Sequence, residues 1–223
     1  MNIVMKLKYI FFQLITIVVV ELSLISCVNN DDYSIPPVPP SGFFKETFNK
    51  VSKIKGGMII SSPWPKISAA ANFDGEAEGA FYSDPYELAD IRKLNGSSEI
   101  AKKELFVWFP ANKKSSLIIS NIHLGNRKNI VLRYNFNANI YNSDNISNIN
   151  KLKIKFNEIE LSMPDIELNA FNNKNKYRGV MIRIPDKIVK EISTIEFISE
   201  AANNDRGFRI DDIELVENFP SYK

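Results

Sequence analysis

The chain has 223 residues, 44% hydrophobic and 24% charged, with 28 Lys+Arg against 26 Asp+Glu, one His and one Cys. That apolar content can bury a core and excludes disorder along the whole length. A single thiol excludes a disulfide scaffold and a Cys-rich zinc site. A formal charge of +2 leaves no broad basic field, so no nucleic-acid partner is expected.

The first 26 residues read as an export signal. Lys6 and Lys8 precede an apolar run from Tyr9 to Val20, broken only by Gln13, and a small residue stands before Cys27. The run is short of the roughly 20 apolar residues that a spanning helix needs. Leu24-Ile25-Ser26-Cys27 resembles a bacterial lipobox. That resemblance implies that Cys27 is diacylated and becomes the mature N-terminus. Glu21, near the end of the apolar region, departs from the usual pattern. Several acyl chains give a stable membrane anchor where one does not. The expected location is therefore the outer membrane, lipid-anchored, with a surface-exposed position suggested by Asp31 and Asp32 just beyond the Cys; a plain polar linker accounts for them equally well.

Residues 27–41 form the lipidated Cys and a tether. Pro36, Pro37, Pro39 and Pro40 favour extended polyproline II and leave nothing to build a core. Cleavage removes Lys6, Lys8 and Glu21 and leaves a formal charge of +1. A β-sandwich domain is expected over 42–218, with a tail at 219–223.

Within that domain the pattern is strand after strand. The candidates in chain order are Phe43–Phe48, Ala80–Ser83, Leu88–Arg92, Leu105–Phe109 and Ser116–Ile122. Next comes a run in which Leu132, Tyr134, Phe136, Ala138 and Ile140 share one face, with Arg133, Asn135, Asn137 and Asn139 on the other. Leu152, Ile154 and Phe156 alternate with lysines, Ile159–Ser162 follows, and Val180, Ile182 and Ile184 alternate with Met181 and Arg183. Pro185–Ile192 is expected to make one short helix or turn. Thr194–Ser199 and Gly207–Val216 close the series. In the last, the apolar parity switches at Asp211-Asp212, which predicts a β-bulge that re-aims two carboxylates. So many short strands without long helices predict an all-β jelly-roll β-sandwich, with a closed barrel as the alternative.

The closing segment, Phe208-Arg-Ile-Asp-Asp-Ile-Glu-Leu215, resembles the last strand of galactose-binding-like jelly rolls, a group that includes many carbohydrate-binding modules. Phe44-Lys45-Glu46-Thr47-Phe48 resembles their first strand. The resemblance implies that the two strands pair and that Glu46 and Asp211, with Asp212 as substitute, help hold a structural Ca²⁺. The domain also resembles a loosely described family of surface lipoproteins from gut-type anaerobes. That likeness rests on Pro63-Trp64-Pro65-Lys66-Ile67, Asn72-Phe73-Asp74-Gly75, Asp90-Ile91-Arg92, Val107-Trp108-Phe109-Pro110 and Phe208 to Asp211. It implies the fold and the lipoprotein class and no activity.

Sugar-binding modules stack aromatic rings on pyranose faces, so Trp64, Trp108, Tyr82 and Tyr86 are the candidate ligand contacts, with Tyr134 and Tyr177 in support. Trp64 lies between two prolines in a loop, where exposure is expected; Trp108, inside a strand, reads better as core. Asp90 and Arg92 share a face, with Arg209 on a neighbouring strand, and read as a structural ion pair. A Ser/His/Asp or Cys/His set would need His123, and no Gly-x-Ser-x-Gly elbow accompanies it. The leading expectation is a non-catalytic glycan-binding module. The alternatives are an assembly subunit or adhesin making protein–protein contacts with an envelope protein, and a hydrolase with two facing carboxylates.

Overall fold

The computed structural model describes residues 42–54, 56–59, 62–93, 105–140, 146–173, 176–200 and 207–217. The chain divides into two units, Met1–Pro39 and Pro40–Lys223, and every described residue belongs to the second. Cys27, the tether and the tail lie outside the described residues. Among the described residues no helix is long and apolar enough to cross a membrane.

Fifteen strands are described, all antiparallel where they pair. In chain order they are β1 (Phe44–Glu46), β2 (Ser52–Lys53), β3 (Ala70–Ala71), β4 (Phe81–Ser83) and β5 (Asp90–Lys93). Then come β6 (Leu105–Phe109), β7 (Lys114–His123), β8 (Ile130–Ala138), β9 (Ser147–Asn148) and β10 (Leu152–Phe156). The last are β11 (Ile159–Glu160), β12 (Glu167–Leu168), β13 (Arg178–Arg183), β14 (Ile192–Glu200) and β15 (Phe208–Glu217). One sheet runs β13-β8-β15-β6-β5, with β1 beside β15; the other runs β11-β10-β14-β7-β4. From β6 onward the main strands alternate between the two sheets, which is the jelly-roll way of closing a two-layer core. β2 with β3 and β9 with β12 make two small ribbons.

The alternation read from the sequence decides which faces meet. Leu132, Tyr134, Phe136 and Ala138 of β8 face Leu117 and Ile119 of β7, Ile154 of β10 and Phe197 of β14 in one buried cluster. Each fully buried side chain of this size contributes roughly 1.5–3 kcal/mol. β15 lies centrally. β8 runs along one edge, while the other edge is shared between β6 at Phe208–Ile210 and β1 at Ile213–Leu215.

The bulge is where the parity switch places it. Asp211 pairs with Asn135 and Glu214 with Arg133, so β15 advances three residues while β8 advances two. Asp212 takes up the extra residue with φ 48°. Several expected boundaries move by a residue or more, and two of the changes have a local cause. The strand expected from Leu88 begins at Asp90, because the Asp84 carboxylate accepts from the N–H groups of Tyr86, Leu88 and Ala89 at 2.9, 2.9 and 2.7 Å and holds a turn there. Pro185–Ile192 yields one 3-10 turn at Asp186–Ile188 and then passes into β14; helix nucleation is costly in so short a segment.

Candidate functional site

Glu46, at the end of β1, is wholly buried. Its Oε1 accepts from Phe48 N–H at 2.6 Å. Its Oε2 accepts from the Tyr82 hydroxyl at 2.6 Å and from Gly75 N–H at 3.3 Å. Burial pushes the Glu46 carboxyl up to about 7, against the opposing pull of those three donors. Gly75 stands here because nothing larger fits: a Cβ would collide with the Tyr82 hydroxyl and meet Phe44 at 2.7 Å. Asp74 beside it accepts from Thr47 N–H at 2.9 Å and Thr47 Oγ1 at 2.6 Å, and pairs with Lys50 at 2.8 Å. Burial pushes Asp74 up, but the Lys50 and Thr47 bonds outweigh it and hold the carboxyl below its usual range.

These placements bear on calcium. The Glu46 oxygens face N–H and O–H donors, which a cation would have to displace. Asp211 accepts from Asp212 N–H at 2.8 Å, and Asp212 accepts from the Asn135 amide at 2.9 Å. Glu46 pairs in register with Ile213, a core position, whereas Asp211 lies on the parity of Arg209 on the outer face. Among the described residues no three of His, Cys, Asp and Glu gather to hold a metal. The donor set as placed does not fit Ca²⁺, which wants six to eight oxygens.

The aromatic candidates do not form one platform. Tyr82 is half-buried and stacked on Phe73, with ring centroids 4.1 Å apart and planes 8° apart, and its hydroxyl serves Glu46. Trp64, expected to be exposed, is half-buried against the core. Tyr86 is 38% exposed with Lys114 Nζ 5.1 Å from its ring centre. Trp108 is buried, yet it belongs to the outer face of its sheet rather than to the core cluster. Arg92 and Arg209 lie over its ring at 4.8 and 5.6 Å. The outer face reads across the strands as Asp90, Trp108, Arg209 and Asn137. Arg92 is held by Asp90 through bonds of 2.6 and 3.0 Å, and Arg209 by Asn137 and Asn139 at 3.2 and 2.7 Å. Gly207 permits this packing, since a Cβ there would meet Trp108 at 2.6 Å and the Phe109 carbonyl at 2.7 Å. His123 is exposed at the end of β7.

A groove of about 200 Å³ opens elsewhere, beside the β5–β6 pair. Val51, Ile59, Leu105 and Met58 supply its apolar lining. Its polar groups are Asn49, Lys50, Ser52 and Lys93. Asn49 Oδ1 accepts from Leu105 N–H at 3.2 Å, which ties the loop after β1 to the start of β6. Ser52 Oγ accepts from Asn72 at 2.7 Å. None of these residues was among the sequence candidates. One signal was available: Lys93 follows Ile91 at core parity, where the alternation asks for an apolar residue.

No family model and no curated protein matches the chain. Among solved structures, a family 35 carbohydrate-binding module from Paenibacillus barcinonensis aligns at 11% identity and TM-score 0.37, over 62% of this chain and 99% of that one. A family 61 carbohydrate-binding module solved with β-1,4-galactotriose aligns at 16% identity and TM-score 0.40, over 65% of this chain and 92% of that one. The xylan-binding domain of Paenibacillus barcinonensis Xyn10C aligns at 6% identity and TM-score 0.40, over 80% and 95%. At such values the likeness carries no argument about a ligand, and the site is read from its own geometry.

Proposed function

We propose that this chain is a lipid-anchored, non-catalytic binding module of the cell envelope, with glycan as its ligand class. The groove beside β5 and β6 carries the reading. It is open, it is about 200 Å³, and it sets an apolar floor against amide, hydroxyl and ammonium groups. A sugar ring has matching surfaces, with C–H faces for the floor and hydroxyls for the rim. The volume suits one ring better than a drug-sized ligand, whose pockets start at about 300 Å³. Among the described residues Glu46 and Asp74 are neighbouring acids whose carboxyls are pushed apart in the manner of an acid and its ionised partner. Glu46 is 0% exposed and each of its oxygens already accepts a hydrogen bond from the protein, which supports a strut rather than a proton donor to substrate.

The test is a glycan array probed with the full-length chain in mild detergent. A limited set of glycans should bind, and Ser52→Leu, which pushes a branched side chain into the groove, should abolish that binding while the loss of the exposed Asn72 bond lowers the melting temperature only slightly. A blank array refutes the reading and favours the assembly subunit. Release of reducing sugar from a bound glycan replaces it with the hydrolase. The anchor rests on the Leu24–Cys27 pattern; labelled fatty acid should enter the protein and fail to enter Cys27→Ala.

A further inference from the structure

We infer that the groove selects an acidic sugar, and that Lys93 is the residue that reads its negative group. This deepens the binding-module reading and rests on it.

Lys93 closes β5 and pairs across the strands with Leu105. Residues opposite each other in an antiparallel pair share a face, so Lys93 projects on the same side as Leu105 and Ile91, both in the core cluster. The sandwich therefore places a half-buried lysine at the end of its own core, on the wall of a groove. A cation taken part-way out of water is unfavourable unless an opposite charge or several acceptors replace the lost hydration.

Three nearby cations have such partners. Arg92 has Asp90 at 2.6 Å, Lys66 has Asp90 at 3.5 Å, and Lys50 has Asp74 at 2.8 Å. Among the described residues the Lys93 side chain has no carboxylate within 4.0 Å and no hydrogen bond. The described residues that line the groove do not supply one either, since they include two lysines and no acid. Asn49 adds donors of the same sense: its Oδ1 is occupied by Leu105 N–H, and its amide hydrogens have no partner among the described residues.

Charge decides between ligands. A neutral hydroxyl entering the groove would displace water from Lys93 without offsetting its charge. A carboxylate or sulfate ester on the sugar would do both. A lysine is a compact point charge on a flexible stem and accepts either anion, unlike the planar fork of arginine. The apolar floor of Val51, Ile59 and Leu105 then distinguishes a sugar-borne anion from a free inorganic one, because only the former has a C–H face to cover it.

Calorimetric titration of the full-length chain in mild detergent tests this. The probes are a uronate trimer, a sulfated trisaccharide and a neutral trisaccharide, with inorganic sulfate as a fourth. At least one acidic trisaccharide should bind about tenfold or more tightly than the neutral one, as a charge-assisted bond implies. Which of the two binds identifies the anion. Lys93→Gln should remove that preference and Lys93→Arg should retain most of it. Lys187→Gln, exposed on the 3-10 turn after β13, should change nothing. Added salt should weaken the wild-type preference. If the neutral trisaccharide binds as tightly as the acidic ones, or if Lys93→Gln keeps the preference, the inference is overturned while the binding module stands. If inorganic sulfate competes at equal affinity, the sugar is not being read and the inference also falls. If no glycan binds here or on the array, the binding-module reading falls with it.

Discussion

Tyr82→Phe should destabilise the protein in a pH-dependent way. The substitution keeps the ring stacked on Phe73 at 4.1 Å and deletes only the hydroxyl, which donates to Glu46 at 2.6 Å and accepts from Gly75 N–H at 3.2 Å. Glu46 titrates near 7 in the folded state, above an ordinary carboxyl near 4.3. A proton is therefore held more tightly by the folded chain than by the unfolded one. Stability from this group is fully present in acid, falls as pH rises from the ordinary carboxyl range to about 7, and levels off above that. The total fall is roughly 3.5–4 kcal/mol at 1.36 kcal/mol per pH unit. Asp74 is held below its usual range, so its stabilising contribution is lost only on stronger acidification. Above pH 7 Glu46 is an anion, and the lost bond costs about 1.5–3 kcal/mol. In acid it is neutral, and the loss is about 0.5–1.5 kcal/mol. Urea unfolding at about pH 5 and about pH 8.5 should show the variant losing roughly 1 kcal/mol more at the higher pH. Glu46→Gln should flatten the wild-type fall. Equal losses for Tyr82→Phe at both pH values would refute the assignment of Glu46 as a buried, titrating strut.

Gly75→Ala should lower stability by about 1–3 kcal/mol by overpacking against Tyr82 and Phe44, read as a lower urea midpoint with an unchanged slope. Tyr134→Phe should be neutral or raise stability by up to about 1 kcal/mol. Its hydroxyl is buried in the core with no partner, and burial pushes its ionisation far up; thermal unfolding that shows a clear loss would reveal a bond to that oxygen. Calcium and then EDTA, added during calorimetric melting, should leave the transition in place, because the Glu46 oxygens already hold three donors. A rise in melting temperature with calcium would mean that Tyr82 and Gly75 give way to the ion.

Short-range chemistry made much of the architecture legible. The period-two alternation in 130–140, 152–156 and 180–184 was enough to assign β8, β10 and β13 and their core faces. The parity break at Asp211-Asp212 located the bulge. Asp90 with Arg92 was readable as a pair because both lie two apart on one strand. Trp108 was less so. Its strand, Leu105–Phe109, is buried on both faces, so alternation could not say which side faced the core, and the register with Arg209 settled it.

What the sequence determined by itself was therefore local: strands and their apolar faces, a bulge, and an all-β class. These follow from side-chain periodicity and backbone preference over a few residues. The tertiary structure alone decided that Tyr82 would close over Glu46 from 36 residues away. It alone brought the loop after β1 to Leu105 across 56 residues, and so made a groove from segments that share no motif. Lys93 stands between the two kinds of knowledge. Its misplaced charge was visible in the alternation, but only the tertiary structure sets it on one groove wall with Asn49, Val51 and Ile59.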